Sequence, residues 1–187
     1  MTEEVYPVEL IAPDIEAYRK GNIGIEFVTS FDSGKPGPHV MINAVTHGNE
    51  ICGAIALDYL FKANVRPAQG KLTLGFINHL AYSNFDPKNP GPSRFVDEDF
   101  NRVWVEERLE GLEVTAELRR ARELRPVFDS VDLLLDIHSM GTYSKPLMIC
   151  NGLTKERNFT KKSKFSCSYY VWFRSYNWKK INRIHTL

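Results

Sequence analysis

Three residues of this chain carry side chains that zinc enzymes use as metal ligands. The run His47-Gly-Asn-Glu50 places an imidazole and a carboxylate three residues apart, and His138 supplies a second imidazole. Two imidazoles and one carboxylate form a known catalytic zinc set, with water in the open fourth position. A lone His-x-x-Glu is common by chance, and a histidine at a strand end is often only a surface or capping residue. Together, however, these residues predict one Zn²⁺ per chain, bound by His47, Glu50 and His138.

A second group of polar side chains lies between residues 94 and 102. Arg94, Asn101 and Arg102 offer an amide and planar guanidinium groups, whose donors suit a substrate carboxylate. We therefore predict that these three residues bind substrate. The alternative is a solvated helix start, in which the acids at 97–99 stabilise the positive end of the helix dipole. That alternative accounts for the acids but not for the arginines and the asparagine among them.

The hydrophobic pattern predicts the elements that position these groups. Alternating or continuous apolar runs predict strands over residues 23–31, 40–45, 71–77 and 131–137. Apolar residues at helical spacing predict helices over 50–61 and 114–128, and prolines and glycine predict a long surface loop over 81–94. Buried strands that alternate with helices are typical of an α/β fold with a doubly wound, mostly parallel sheet and helices on both faces.

The predicted sheet gives the metal ligands a common location. Ligand sites in open α/β sheets form just beyond the carboxyl ends of the strands. His47 and Glu50 follow the second predicted strand, and His138 follows the last one. Asp136, two residues before His138, is either a hydrogen-bond partner of a metal ligand or a buried structural aspartate. We therefore expect all three ligands to face one crevice.

Composition narrows the class of protein. With 187 residues, of which 43% are apolar and 25% charged, the chain is typical of one globular domain. It shows neither a signal-peptide pattern nor a run of the roughly 20 apolar residues that cross a bilayer. Cys52, Cys150 and Cys167 lack the spacing of disulfide or zinc motifs, and we expect them to be small buried residues. We accordingly predict a cytoplasmic protein that does not associate with membranes.

The composition changes near the C-terminal end. Residues 151–187 hold nine Lys and Arg against the single acid Glu156, with eight aromatics and no proline, alanine or aspartate. A nucleic-acid-binding arm, an interfacial helix and a frameshifted or prematurely stopped reading frame are three interpretations. We favour the third, because residues 1–150 are net acidic and the aromatics form no clean stripe. We therefore expect a catalytic domain at 1–154, a poorly ordered atypical tail at 155–187, and no nucleic-acid partner.

The order of these motifs resembles the succinylglutamate desuccinylase/aspartoacylase family, which belongs with the zinc carboxypeptidases. The resemblance spans about residues 38–150 and is carried by His47-Gly-Asn-Glu50, Asn78, Arg94, Asp97-Glu-Asp-Phe-Asn-Arg102 and Asp136-Ile-His138. It implies a zinc carboxypeptidase-like fold in which His47, Glu50 and His138 bind zinc. It also implies a deacylase that hydrolyses the amide of an N-acyl amino acid, or a similar small carboxylate substrate, through a metal-activated water.

The resemblance further implies that Asn101 and Arg102, assisted by Arg94, bind the substrate carboxylate. The family's general base, a glutamate in a Glu-x-Gly context on a later strand, has no match here, because Glu156 is the only acid beyond His138. No catalytic residue is therefore identified, and we expect a truncated chain that binds zinc but is weakly active or inactive. A metallocarboxypeptidase-type peptidase and a non-catalytic zinc-binding remnant are the alternatives. A sheet with an uncovered edge favours a homo-oligomer.

Overall fold

A four-stranded mixed sheet forms the centre of the molecule. The computed structural model describes residues 8–140. Its strands are β1 (Val28–Asp32), β2 (His39–Ala44), β3 (Lys71–Phe76) and β4 (Leu133–Ile137), in the order β1-β3-β2-β4. β2 is parallel to both β3 and β4, whereas β1 is antiparallel to β3. The predicted α/β fold with a mostly parallel sheet is confirmed.

Helices and short turns connect the strands. The helices are α1 (Ile51–Lys62), α2 (His79–Ser83), α3 (Glu106–Glu110) and α4 (Ala116–Ser130). Single 3₁₀ turns lie at Glu16–Tyr18, Gly91–Arg94 and Phe100–Arg102. α1 connects the parallel strands β2 and β3, as the strand–helix–strand pattern of the sequence predicts. Within residues 8–140, none of the helices combines the length and apolar character needed to cross a membrane.

The sheet is covered by a helix on each face. Successive side chains of a strand point to opposite faces, so Ala44 of β2 packs in one cluster with Leu57 of α1. Met41 of β2 packs in a second cluster with Leu118 and Leu124 of α4. Both faces are therefore buried, as the continuous apolar runs of β2 and β3 require.

Two local predictions differ from the structure. The predicted strand at 23–31 begins only at Val28, because Gly24 and Phe27 have φ of +79° and +59° and form turns rather than extended chain. The predicted loop at 81–94 begins inside α2, whose residues Ala81 and Tyr82 are buried. Asn78 starts this helix, because its side-chain oxygen accepts the Ala81 N–H at 3.3 Å.

The last predicted strand is less buried than its sequence indicates. Leu134 is buried, but Leu133 and Leu135 are only half-buried. In the part of the chain that the structure describes, β4 pairs with β2 alone, so one of its edges lacks a neighbouring strand. The predicted boundary at residue 154, the tail at 155–187, Cys150 and Cys167 lie outside the described residues.

Candidate metal centre

Three side chains converge at the carboxyl ends of β2 and β4. His138 immediately follows β4, and His47 lies three residues beyond β2, which pairs in parallel with β4. His47 Nδ1 lies 2.7 Å from Glu50 Oε1, and His138 Nδ1 lies 2.8 Å from Glu50 Oε2. One ligand atom from each side chain lies within 4.8 Å of the others. The structure therefore brings together the three residues that the sequence predicts as metal ligands.

The chemistry and burial of this group fit a metal ion. Two imidazole nitrogens and a carboxylate oxygen are a common donor set for a catalytic divalent ion. The side chains of His47 and Glu50 are 3% and 9% exposed, whereas that of His138 is 24% exposed. Among residues 8–140, His47 and Glu50 are thus buried, whereas the side chain of His138 is partly exposed.

His47 and Glu50 are brought together by a non-helical turn, residues 46–50, that precedes α1; we call it the ligand turn. The helix α1 begins at Ile51, and the Glu50 N–H donates to the His47 carbonyl at 3.1 Å. Val45, just after β2, has a φ of +53°, which costs a β-branched residue about 1–3 kcal/mol. Its carbonyl accepts the Asn78 N–H at 3.1 Å. This strained, buried residue redirects the chain from β2 into the ligand turn. No sequence pattern predicts its positive φ.

Gly48 is required by close packing. Its N–H donates to the Arg94 carbonyl at 3.1 Å. A Cβ at this position would overlap the backbone of Ala81 and the carbonyl oxygen of Ser93, and it would lie 2.5 Å from the Tyr82 nitrogen. The absence of a side chain therefore allows the segment that carries Arg94 to lie against the ligand turn.

Each imidazole is held between Glu50 and a further carboxylate. His138 Nε2 lies 2.9 Å from Asp136, which also accepts the Thr46 hydroxyl at 2.8 Å. His47 Nε2 lies 3.2 Å from Asp99. A carboxylate beside Nε2 of a metal-binding histidine fixes the orientation of its ring. Nε2 of His47 also lies 3.0 Å from Arg94 Nη2, so this imidazole contacts both a carboxylate and a guanidinium. Asp136 therefore contacts the predicted ligand His138, and its role as a partner of a metal ligand stays a prediction. The sequence alone assigns Asp99 only to a helix start.

The electrostatic environment favours positive charge in the cluster. Burial opposes ionisation of Glu50, but hydrogen bonds from His138 and His47 outweigh it and lower the pKa of the carboxyl to about 2. Burial likewise opposes charge on His138, but hydrogen bonds to Asp136 and Glu50 raise its pKa to about 10. Carboxylates that stabilise an imidazolium also stabilise a bound cation, which supports the metal assignment.

Replacement of Asp136 by alanine is expected to weaken Zn²⁺ binding about 10- to 100-fold, because His138 then lacks the acceptor that orients its ring. Chelator competition measures the affinity. The matched control is Asp129→Ala, which removes an exposed aspartate of α4 and is expected to leave the affinity unchanged. Equal affinities for the two variants would show that Asp136 is a structural aspartate only.

Two of the three predicted substrate-binding residues reach the cluster. Arg94 donates to Glu50 and to Asp99, each at 3.2 Å. Asn101 Nδ2 lies 3.3 Å from His47 Nε2. Arg102 is exposed, and among residues 8–140 no hydrogen bond or ion pair joins it to the three ligands.

Comparisons with known proteins show which family and which solved structures the chain resembles. The family model of the succinylglutamate desuccinylase/aspartoacylase catalytic domain matches residues 36–170. An aspartoacylase family protein from Mesorhizobium loti superposes with a TM-score of 0.54 at 25% identity, covering 72% of this chain and 41% of its own. The succinylglutamate desuccinylase from Chromobacterium violaceum superposes with a TM-score of 0.49 at 20% identity, covering 61% and 37%.

Each structural match includes a larger fraction of this chain than of the related protein. The chain spans 41% of the Mesorhizobium loti structure and 37% of the Chromobacterium violaceum structure. No curated protein sequence shows a significant match. Because the family model covers most of the sequence and ends well beyond His138, it includes all the predicted ligands. The chain belongs to the succinylglutamate desuccinylase/aspartoacylase family.

Proposed function

We propose that the chain carries the metal-binding part of a zinc-dependent deacylase that hydrolyses the amide bond of an N-acyl amino acid. The observation that carries this proposal is the convergence of His47 Nδ1, His138 Nδ1 and the Glu50 carboxylate. The family indicates the substrate class, because it is named after enzymes that act on succinylglutamate and on acylated aspartate. Both are small carboxylates with an amide bond.

The chain's own residues have separate roles in this proposal. His47, Glu50 and His138 hold one Zn²⁺, which, when bound, lowers the pKa of a water molecule and polarises the substrate carbonyl. Asp136 and Asp99 orient the two imidazoles. No residue between 8 and 140 is assigned as general base, because the resemblance locates that glutamate after His138.

Substrate binding is assigned to Arg94, Asn101 and Arg102. Arg94 is 40% exposed beside the cluster, so its guanidinium is accessible to a substrate carboxylate. Asn101 adds an amide donor close to His47. Arg102 comes directly after Asn101 and is exposed, so its side chain is free to turn toward a bound substrate.

The other predictions concern the whole protein. A catalytic domain at 1–154, a cytoplasmic location, a homo-oligomer and weak turnover stay predictions. The metal-binding and substrate-binding residues, together with the family, support the proposed reaction.

The proposed reaction is tested with the purified full chain loaded with Zn²⁺. Because weak turnover is predicted, we expect slow release of free amino acid from N-succinyl or N-acetyl amino acids, loss of that release with a chelator, and recovery with Zn²⁺. His138→Ala is the control, because it removes a ligand that lies at the edge of the cluster. Hydrolysis no faster than that of His138→Ala would refute the proposal, and a preference for short peptides would replace the substrate class by that of a carboxypeptidase.

A further inference from the structure

Glu117, the second residue of α4, is a buried carboxylate that the proposed reaction does not use. It is 0% exposed, and no cationic side chain among residues 8–140 forms an ion pair with it. Its Oε1 accepts the Val96 N–H at 2.7 Å and the Asn78 side-chain amide at 3.0 Å. Its Oε2 accepts the N–H groups of Asp97 at 3.1 Å and Glu98 at 3.3 Å.

These four hydrogen bonds explain how the carboxylate of Glu117 is tolerated in the core. Burial of a charge is costly unless hydrogen bonds replace its hydration. Bonds from N–H groups to a carboxylate are about twice as strong as neutral ones, and successive backbone N–H groups form a concave anion site. The carboxylate and the backbone at 96–98 therefore stabilise each other, and removal of the carboxylate leaves three backbone N–H groups without their acceptor.

Both ends of the bound backbone reach the metal centre. Arg94 lies two residues before Val96 and donates to Glu50. Asp99 directly follows the bound N–H groups and lies 3.2 Å from His47 Nε2. The segment contributes the residues that orient one metal ligand and face the substrate, yet it contains only single 3₁₀ turns at its ends. Its position over the cluster therefore depends on contacts with other elements.

We propose that Glu117 is a positioning residue that holds segment 94–101 against the metal centre, and this inference rests on the proposed function. Asn78 supports Glu117 in this role. Its amide donates to Glu117, and its oxygen caps α2, so it connects the carboxylate to the end of β3. Asn78 belongs to the motif that carries the family resemblance, and this contact gives it a specific role.

Glu117→Gln tests the inference with a side chain of the same shape. The amide keeps one acceptor oxygen but turns an NH₂ group toward backbone N–H groups, so segment 94–101 loses one of its two acceptor oxygens while the core keeps its volume. We expect Zn²⁺ affinity to fall about 10-fold or more, as for loss of other partners of metal ligands, and the absorption spectrum of bound Co²⁺ to change. The matched control is Glu123→Gln on the same helix, because Glu123 is 42% exposed and pairs with Arg120.

The inference fails if folded Glu117→Gln binds Zn²⁺ as tightly as Glu123→Gln and gives the same Co²⁺ spectrum. Amide hydrogen exchange of the unmodified chain provides a test that does not depend on how the variant folds. The Val96, Asp97 and Glu98 N–H groups should exchange slowly, and exchange at the rate of an open loop would overturn the inference. In Glu117→Gln these three should exchange faster while the amides of α4 do not.

These measurements separate the inference from the proposed reaction. If the zinc-loaded chain hydrolyses no N-acyl amino acid, the proposed function fails, but the exchange and Co²⁺ results still decide the role of Glu117. His138→Ala supplies the converse control, because it removes a metal ligand without touching Glu117. It should lose Zn²⁺ while the N–H groups of 96–98 stay protected, and their loss of protection would show that the metal, rather than Glu117, holds the segment.

Discussion

Zn²⁺ affinity is expected to fall by more than about 100-fold when either His47 or His138 is replaced by alanine, since loss of an outer partner alone costs about 10- to 100-fold. Each histidine supplies one of three converging ligand atoms. Its loss leaves Glu50 with a single imidazole partner and opens a second coordination position to water. The effect should therefore exceed that of a substitution at either of the outer partners Asp136 and Asp99.

Metal analysis of the purified variants, together with chelator competition, measures this effect. His39→Ala is the matched control, because His39 begins β2 at the opposite end of the strand and its Nε2 contacts Thr73, 2.7 Å away. That variant should bind Zn²⁺ like the unmodified chain. Undiminished Zn²⁺ in both His47→Ala and His138→Ala would refute the metal centre.

Gly48→Ala is expected to destabilise the fold by about 3 kcal/mol or more, at the upper end of overpacking effects. The added Cβ would overlap backbone atoms of Ala81 and Ser93, which cannot rotate away as a side-chain tip can. Either the ligand turn or the segment that carries Arg94 must move. We therefore expect weaker Zn²⁺ binding together with the loss of stability.

Denaturant unfolding of the two glycine variants measures the free energy of unfolding. Gly91→Ala is the control, because Gly91 lies in the same packed segment but a Cβ there meets no atom within 4 Å. Its stability should change by no more than about 0.5 kcal/mol, as for most surface substitutions. Equal stability of Gly48→Ala and Gly91→Ala would mean that the ligand turn does not pack against the backbone of Ala81 and Ser93.

Local sequence patterns predicted the regular elements well. β2, β3, α1 and α4 begin and end within two residues of the predicted bounds. Continuous apolar runs and apolar residues at helical spacing predict such elements well, because they show which face of each element is buried. The strand predicted at 23–31 was too long because the backbone turns at Phe27, and nothing in the side-chain pattern marks a positive φ there.

The sequence by itself determined the donor types of the candidate metal centre and their location at strand ends. His47, Glu50 and His138 were identifiable because their chemistry is specific and the ends of parallel strands lie at one edge of the sheet. Only the tertiary structure decided that Nδ1 of each imidazole faces Glu50 and that Asp99 lies at the Nε2 of His47.

Tertiary structure also decided the roles of Gly48 and Glu117. In the sequence, Glu117 is one charged residue among many on a polar helix, and Gly48 is one glycine of a turn. Their roles arise from contacts with residues about 20 to 45 positions away, at Ala81, Ser93 and 96–98. Periodicity reports only which side of an element is buried, whereas these roles depend on what the packed chain places opposite each residue.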